Sequence, residues 1–494
     1  MPVPASPPPV SIIGAGLGGL SAAIHLRLAG HPVEVFEKNR TTGGRANRLR
    51  LEGLPFDTGP TLLDYPSVFE RLFQAAGRRL SDYVELVQIE PSLTYRWPDG
   101  EQLVLSTQRD RLIEELARFE RGAARALERF FADAQQKYRI ALEKLIPGNR
   151  DNPLRYFGAL SPRELSRTAL WRSMWGELGR FFRSPRIREA LGCYAMYLGG
   201  SPFGLPGFFS MLPYGELSHG LWLPRGGIYA LVQAVERLAR ELGIVIQTGT
   251  RVEGILLEAS HVTGLRLAGG RTTPARLVVC NMDLPSALSG LLGAPGPRLA
   301  MSPAVVTWYW AVRRRPPGLG HHTIFLPQNY RAAFDQLQHG LGLPPDPAFY
   351  VAAPPARAIA PEGSSRDPLP VFVLVPVPVL SRLGSVDWPQ AVTSLREHVL
   401  KRLEDSGTSI LESDILVEQV WSPVQWQDNF ALFDGSAFGA AHTLFQIGPF
   451  RPRNYSRQVR GLYFVGASTN PGTGLPMVVL GGKLVAERIA RHVR

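Results

Sequence analysis

Only two cysteines occur in 494 residues, Cys193 and Cys280, far apart and in no Cys-x-x-Cys pair. That scarcity argues against a disulfide framework, a cysteine zinc site and a dithiol redox centre, and it fits a reducing compartment. Long apolar runs are missing too. No stretch reaches the roughly 18 residues expected of a transmembrane helix; the longest candidate, Val371 to Leu380, holds two prolines and reads as a strand. The opening MPVPASPPPV has neither a basic nor an apolar segment, so no signal peptide is expected. No Ser/His/Asp set at recognisable spacing, no HExxH and no metal-ligand cluster stands out. Acids are the minority charge: 42 Asp and Glu against 54 Lys and Arg give a formal net charge of +12. The basic residues are spread along the chain without a nucleic-acid motif, so nucleic acid is not an expected partner, while an anionic membrane surface stays open.

What is present begins at Val10. An apolar run (Val10, Ile12, Ile13) leads into Gly14, Gly16 and Gly19, a helical pattern follows (Leu20, Ala23, Ile24, Leu28), and a second strand (Val33, Val35, Phe36) ends on Glu37 and Lys38. Strand, glycine turn, helix, strand and acid in that order predict a dinucleotide-binding βαβ unit. Gly14 permits the tight turn, Gly16 lets a pyrophosphate approach the backbone, and Gly19 lets helix and strand pack. Unpaired N–H groups at the helix start face the phosphates. Glu37 is placed to accept hydrogen bonds from a ribose 2′-hydroxyl, and its charge would repel a 2′-phosphate. Only one such fingerprint occurs. An enzyme drawing electrons from a nicotinamide on the same chain often shows two, so the cofactor is expected to be reduced by an organic substrate.

Gly43, Gly44 and Arg45 follow closely, either an ordinary turn or a second phosphate contact with Arg45 as counter-charge. At the other end, LYFVGASTNPGTGLPM at 462–477 is a buried strand running into glycines, Gly466 and Gly474 among them, ahead of a helix from about Val479 to His492. Between them, Arg111 to Leu145 reads as one long amphipathic helix with a solvated face. Arg155 to Gly220 interleaves aromatics with arginines, which suits either a membrane interface or a helical cap over an apolar pocket. Val371 to Val379, Thr307 to Val312 and Val417 to Trp421 suggest a second sheet.

On these motifs the sequence resembles the flavin amine oxidase and phytoene desaturase group, whose N-terminus reads GxGxxG, an acid, then GGR. The bacterial phytoene desaturases end on a similar glycine-proline stretch, from which this chain departs at Ser468 and Asn470. The likeness extends over FDTGPT (56–61), LWLPRGG (221–227), HHTIF (321–325), APEG (360–363), SPVQWQDNF (422–430), GSAFG (435–439) and FRPRN (450–454). It implies an α/β fold: a Rossmann-like FAD-binding domain of the two-domain flavoprotein type, with a mixed-sheet substrate domain and a helical cap. The expected division is 1–64, 221–300 and 456–494 for the FAD domain, 65–220 for the cap with some substrate-domain elements, and 301–455 for the substrate sheet. In that fold the returning strands after Ile244 lie beside the first βαβ unit. The cofactor-binding residues implied are Gly14, Gly16, Gly19, Glu37, Lys38, Gly44, Arg45, Val252, Gly466, Gly474 and Met477.

The resemblance further implies dehydrogenation of a long linear polyene such as phytoene. A hydride passes from an allylic carbon to flavin, the neighbouring carbon loses a proton, and oxygen or a quinone takes the electrons afterwards. Alternatives within the same likeness are a hydroxycarotenoid 3,4-desaturase, a carotenoid cis–trans isomerase and an amine oxidase; a non-catalytic carrier of prenylated proteins would not need the glycines and Glu37. For proton handling the family stretch points to Glu164 and Arg167, which as residues alone also read as a solvated i, i+3 ion pair. The expected location is cytoplasmic, peripheral on the inner face of the cell membrane.

Overall fold

The computed structural model describes residues 9–355 and 368–493. The first eight residues and the APEG motif lie outside this range. The first βαβ forms as its pattern requires, with strands Val10–Ile13 and Val33–Phe36 parallel in register around the helix Leu17–Leu28. Three later strands complete a five-stranded parallel sheet in the order Leu462–Phe464, Val278–Cys280, Val10–Ile13, Val33–Phe36, Val245–Gln247. Segments hundreds of residues apart thus build one layer, and their apolar residues, such as Val10, Val35 and Val279, are buried against helices.

The strands returning after Ile244 do not all join this layer. Val252–Glu258 pairs with His261–Leu267, and that strand with Thr272–Pro274, as a separate antiparallel sheet. Val252 points into the small core beneath, with Ile13 and Phe36.

The second large sheet has seven strands, in the order Ile415–Trp421, Ala304–Val312, Leu369–Val377, Phe349–Ala352, His322–Phe325, Leu93–Arg96, Gln102–Leu105. Ala304–Val312 is buried at every residue because neighbours flank it on both sides and layers cover both faces, which explains its unbroken apolar run.

The long helix expected over 111–145 is divided. Arg109–Ala117 and Ala123–Arg139 are separated by a turn through Gly122, whose φ of +80° an L side chain rarely adopts. Its charged face is not all solvated. Lys137 is fully buried and donates from Nζ to Asp133 (2.5 Å), Glu177 (2.8 Å) and Ser210 (3.2 Å), while Arg172 and Arg180 close on the same Glu177. The aromatics of 155–220 mostly face inward: Phe182, Tyr194, Phe208 and Phe209 are buried, whereas Trp171 is 66% exposed. Those aromatics pack chiefly in the core beneath this region. No helix among the described residues is long and apolar enough to cross a membrane.

Candidate active site

Two helices begin at one cavity. Leu17–Leu28 follows Gly16 and Leu475–His492 follows Gly474, and neither start has a side-chain cap, so the first backbone N–H groups remain open to an anion, save at Pro476, which has none. Gly14 takes φ +94° at the first turn. A Cβ on Gly19 would stand 2.2 Å from the Gly14 carbonyl oxygen, so only glycine allows the helix this close to the strand. The Gly43–Gly44 pair lies against this turn: the Gly43 N–H donates to the Ala15 carbonyl at 2.8 Å.

The cavity, about 360 Å³, is walled at one end by Gly16 to Gly18, Gly43 to Ala46, Asn281 to Asp283, Gly466, Ala467 and Thr473 to Pro476. It continues into a mainly apolar chamber of Val305, Ile324, Phe334, Leu337, Phe372, Leu374, Trp426 and Phe430. The first end presents glycine backbone and open amides, as a dinucleotide needs. Glu37 is buried at the end of its strand, where its carboxylate accepts from the N–H groups of Ala15 (2.8 Å) and Asn39 (2.9 Å); burial raises its pKa while these bonds oppose the rise.

Of the residues expected from sequence, Gly16, Gly44, Arg45, Gly466 and Gly474 line the cavity, while Gly14, Gly19 and Glu37 shape the first turn from behind. Arg45 is tied to the wall, donating to the Ala437 carbonyl at 2.6 Å. Three others do not line the cavity. Lys38 donates to the Asp428 carbonyl (2.6 Å) and fastens the first domain to the helix Pro423–Phe430, Val252 is in the core described above, and Met477 is half-buried one turn into the last helix.

Glu164 and Arg167 are not in the cavity either. Glu164 closes a capping box with Ser161 on the short helix Pro162–Arg167 and pairs with Lys144 at 2.8 Å; these bonds hold its pKa down to about 2. A carboxylate so committed holds its helix start instead of taking a proton from a substrate.

Two residues of the cavity wall, and one that holds the loop beside it, are not singled out as cofactor-binding by the sequence. The Asn281 amide lies over the glycine turn: its Nδ2 is 2.6 Å and its Oδ1 2.7 Å from where a Cβ on Gly16 and on Gly18 would stand. Asp283 accepts from Ser468 Oγ and from the Phe433 N–H. Arg451, buried and pushed down to about 9 by burial against the opposing pull of Asp283, donates to the carbonyls of Ala440, Gln446, Ala467 and Thr469 and so pins the C-terminal loop. FRPRN contained Arg451 and the run VVCN contained Asn281, while Asp283 lay in no motif; only their distant partners reveal what they do.

The model of the flavin containing amine oxidoreductase family matches residues 17–490, and the chain belongs to that family. It is an FAD-dependent oxidoreductase. It is 39% identical over 492 residues to the zeta-carotene-forming phytoene desaturase of Myxococcus xanthus (97% of this chain, 93% of the relative). It is 35% identical over 498 residues to the all-trans-zeta-carotene desaturase of the same organism (98% and 93%) and 31% identical over 503 residues to the carotenoid 3,4-desaturase of Haloarcula japonica (98% of each). In structure it resembles an oxidoreductase from Methanosarcina mazei, with a TM-score of 0.60 at 19% identity, covering 97% of this chain and 99% of that one.

Proposed function

We propose that this protein desaturates a linear carotenoid such as phytoene, by loss of a hydride from an allylic carbon and of a proton from its neighbour. The observation that carries the reading is the single cavity in which a dinucleotide cradle opens into an apolar chamber. Bound FAD supplies the two-electron acceptor. Gly16, Gly44, Gly466, Gly474 and the two open helix starts would hold it, with Glu37 at the ribose. The chain's own work is alignment and exclusion of water. Phe334, Leu337, Phe372, Leu374 and Trp426 offer the polyene an apolar wall, and each buried CH₂ contributes about 0.8 kcal/mol to binding. The names of the three desaturase relatives support this reading.

A second reading, 3,4-desaturation of a hydroxylated carotenoid, is favoured by an unpartnered acid in the chamber, Asp64. Expression in cells accumulating phytoene, and separately in cells supplying a hydroxylated carotenoid, tests both through the pigments formed. Purified protein that stays colourless after reconstitution with FAD would refute them together.

Reoxidation by oxygen or a quinone, and peripheral contact with the inner face of the cell membrane, complete the proposal. Leu154, Phe445 and Phe450 are exposed (83%, 77% and 45%) close to arginine-rich segments, and Phe445 and Phe450 stand together, rings 6.4 Å apart. Co-sedimentation with anionic liposomes at low salt is expected; its failure would remove the membrane from the proposal.

A further inference from the structure

Two carboxyls line the cavity. Asp283, at the cofactor end, is satisfied by Ser468 and Phe433. Asp64, in the chamber, has no hydrogen-bond partner among the described residues, and its Oδ1 is shielded from solvent. A bare carboxyl in apolar surroundings is unfavourable unless something meets it.

Its neighbours decide its form. Glu216 is buried, which raises its pKa, and it accepts from the hydroxyls of Tyr194 (2.8 Å) and Tyr197 (3.2 Å), donors that oppose the rise by favouring its charged state. Two buried carboxyls that feel each other do not both ionise. Asp64 lacks such donors, so burial, and secondarily the charge of Glu216, drives its pKa far above the usual range and leaves it the proton. A carboxylic acid kept neutral in an apolar site donates a hydrogen bond. Because it already carries its proton, it is poorly suited to take one from carbon. Two further hydroxyls line the same chamber: Thr61 Oγ1 and Tyr350 Oη lie 2.6 Å apart, and Tyr350 is also 2.6 Å from His322 Nδ1.

We propose that Asp64 determines substrate specificity by donating its carboxyl O–H to an oxygen atom on the polyene, a hydroxyl, carbonyl or ether that a plain hydrocarbon lacks. This inference rests on the carotenoid desaturase reading and deepens it, choosing its second form, with a hydroxylated substrate, over phytoene. The substrate is then an oxygenated linear polyene, supplied by a reaction that hydrates or hydroxylates the chain. A hydrocarbon in its place would leave the acid unpaired.

The test uses FAD-loaded wild type, D64N and D64L, with a linear carotene and its hydroxylated derivative presented in detergent micelles. Dissociation constants come from quenching of tryptophan fluorescence, and the visible flavin spectrum checks the fold. Wild type is expected to prefer the hydroxylated ligand. D64L should move the ratio of the two constants by about tenfold or more toward the hydrocarbon, and D64N, which keeps an N–H donor, by clearly less. An unchanged ratio in D64L, equal weakening of both ligands, or D64N behaving like D64L would overturn the proposal. Should D64L lose its flavin, the D64N ratio decides alone: a small shift supports the proposal, and a tenfold one overturns it. If wild type desaturates the hydrocarbon and shows no preference for the hydroxyl, this inference falls and the desaturase reading stands. If wild type binds neither, the desaturase reading fails first.

Discussion

The Ser21 hydroxyl donates to the Val479 carbonyl at 2.7 Å, so the helix after the first glycine turn is bonded to the helix that closes the chain. Gly482 makes the crossing possible. A Cβ there would stand 2.5 Å from the Ala22 backbone nitrogen and 2.6 Å from Ser21 Oγ. The close crossing brings two helix starts from opposite ends of the sequence to one cofactor cavity.

G482V should therefore force the helices apart and yield protein with little bound flavin, read from visible absorbance after purification. S21A, which loses one hydrogen bond, should lower stability by only about 1 kcal/mol and keep its flavin. Wild-type flavin content in G482V would show that this crossing does not align the cradle.

Glu37 holds the first turn through two backbone N–H groups while buried. E37Q puts an amide where both oxygens accept, so one of them now faces a donor with another donor. FAD affinity is expected to fall by at least about tenfold, measured by titrating apoprotein and following flavin fluorescence. Unchanged affinity would remove Glu37 from the cofactor site.

His321 and His322 stack at 4.0 Å inside the fold. Burial, with Arg315 adding, pushes His321 down to about 3, and burial with His321 drives His322 far below its usual value. Both are neutral when folded, whereas the unfolded chain takes up protons below about pH 6.5. Between about pH 3 and 6.5 the unfolded state binds more protons, so the contribution to stability is full above that window and is lost as pH falls through it. Replacing His321 by Asn should flatten the slope by up to about 1.4 kcal/mol per pH unit, seen in urea midpoints at several pH values. Parallel slopes in variant and wild type would contradict this.

E164A and R167A separate capping from chemistry. With Glu164 bound to Ser161 and Lys144, E164A should lower the melting temperature slightly, and both variants should retain wild-type kcat. A kcat collapse with intact flavin would return these residues to the reaction.

The sequence by itself determined the elements whose signal is local: the βαβ with its three glycines and Glu37, the closing glycine-rich strand and helix, and the second sheet. In each, backbone conformation and burial follow from neighbours a few residues away. Where the chain meets itself was decided only in the tertiary structure. Gly122 divides a helix that periodicity alone would continue, Lys137 turns from a solvated face into a buried ion cluster, and the Val252 side chain packs into a small core. Glu164 becomes a cap because Lys144 and Ser161 converge on it. Asn281 and Asp283 become site residues, and Arg451 the anchor of the C-terminal loop, through contacts with other segments of the chain. A hydrogen bond or a shared cavity between distant residues depends on how layers stack, and no spacing along the chain encodes that distance.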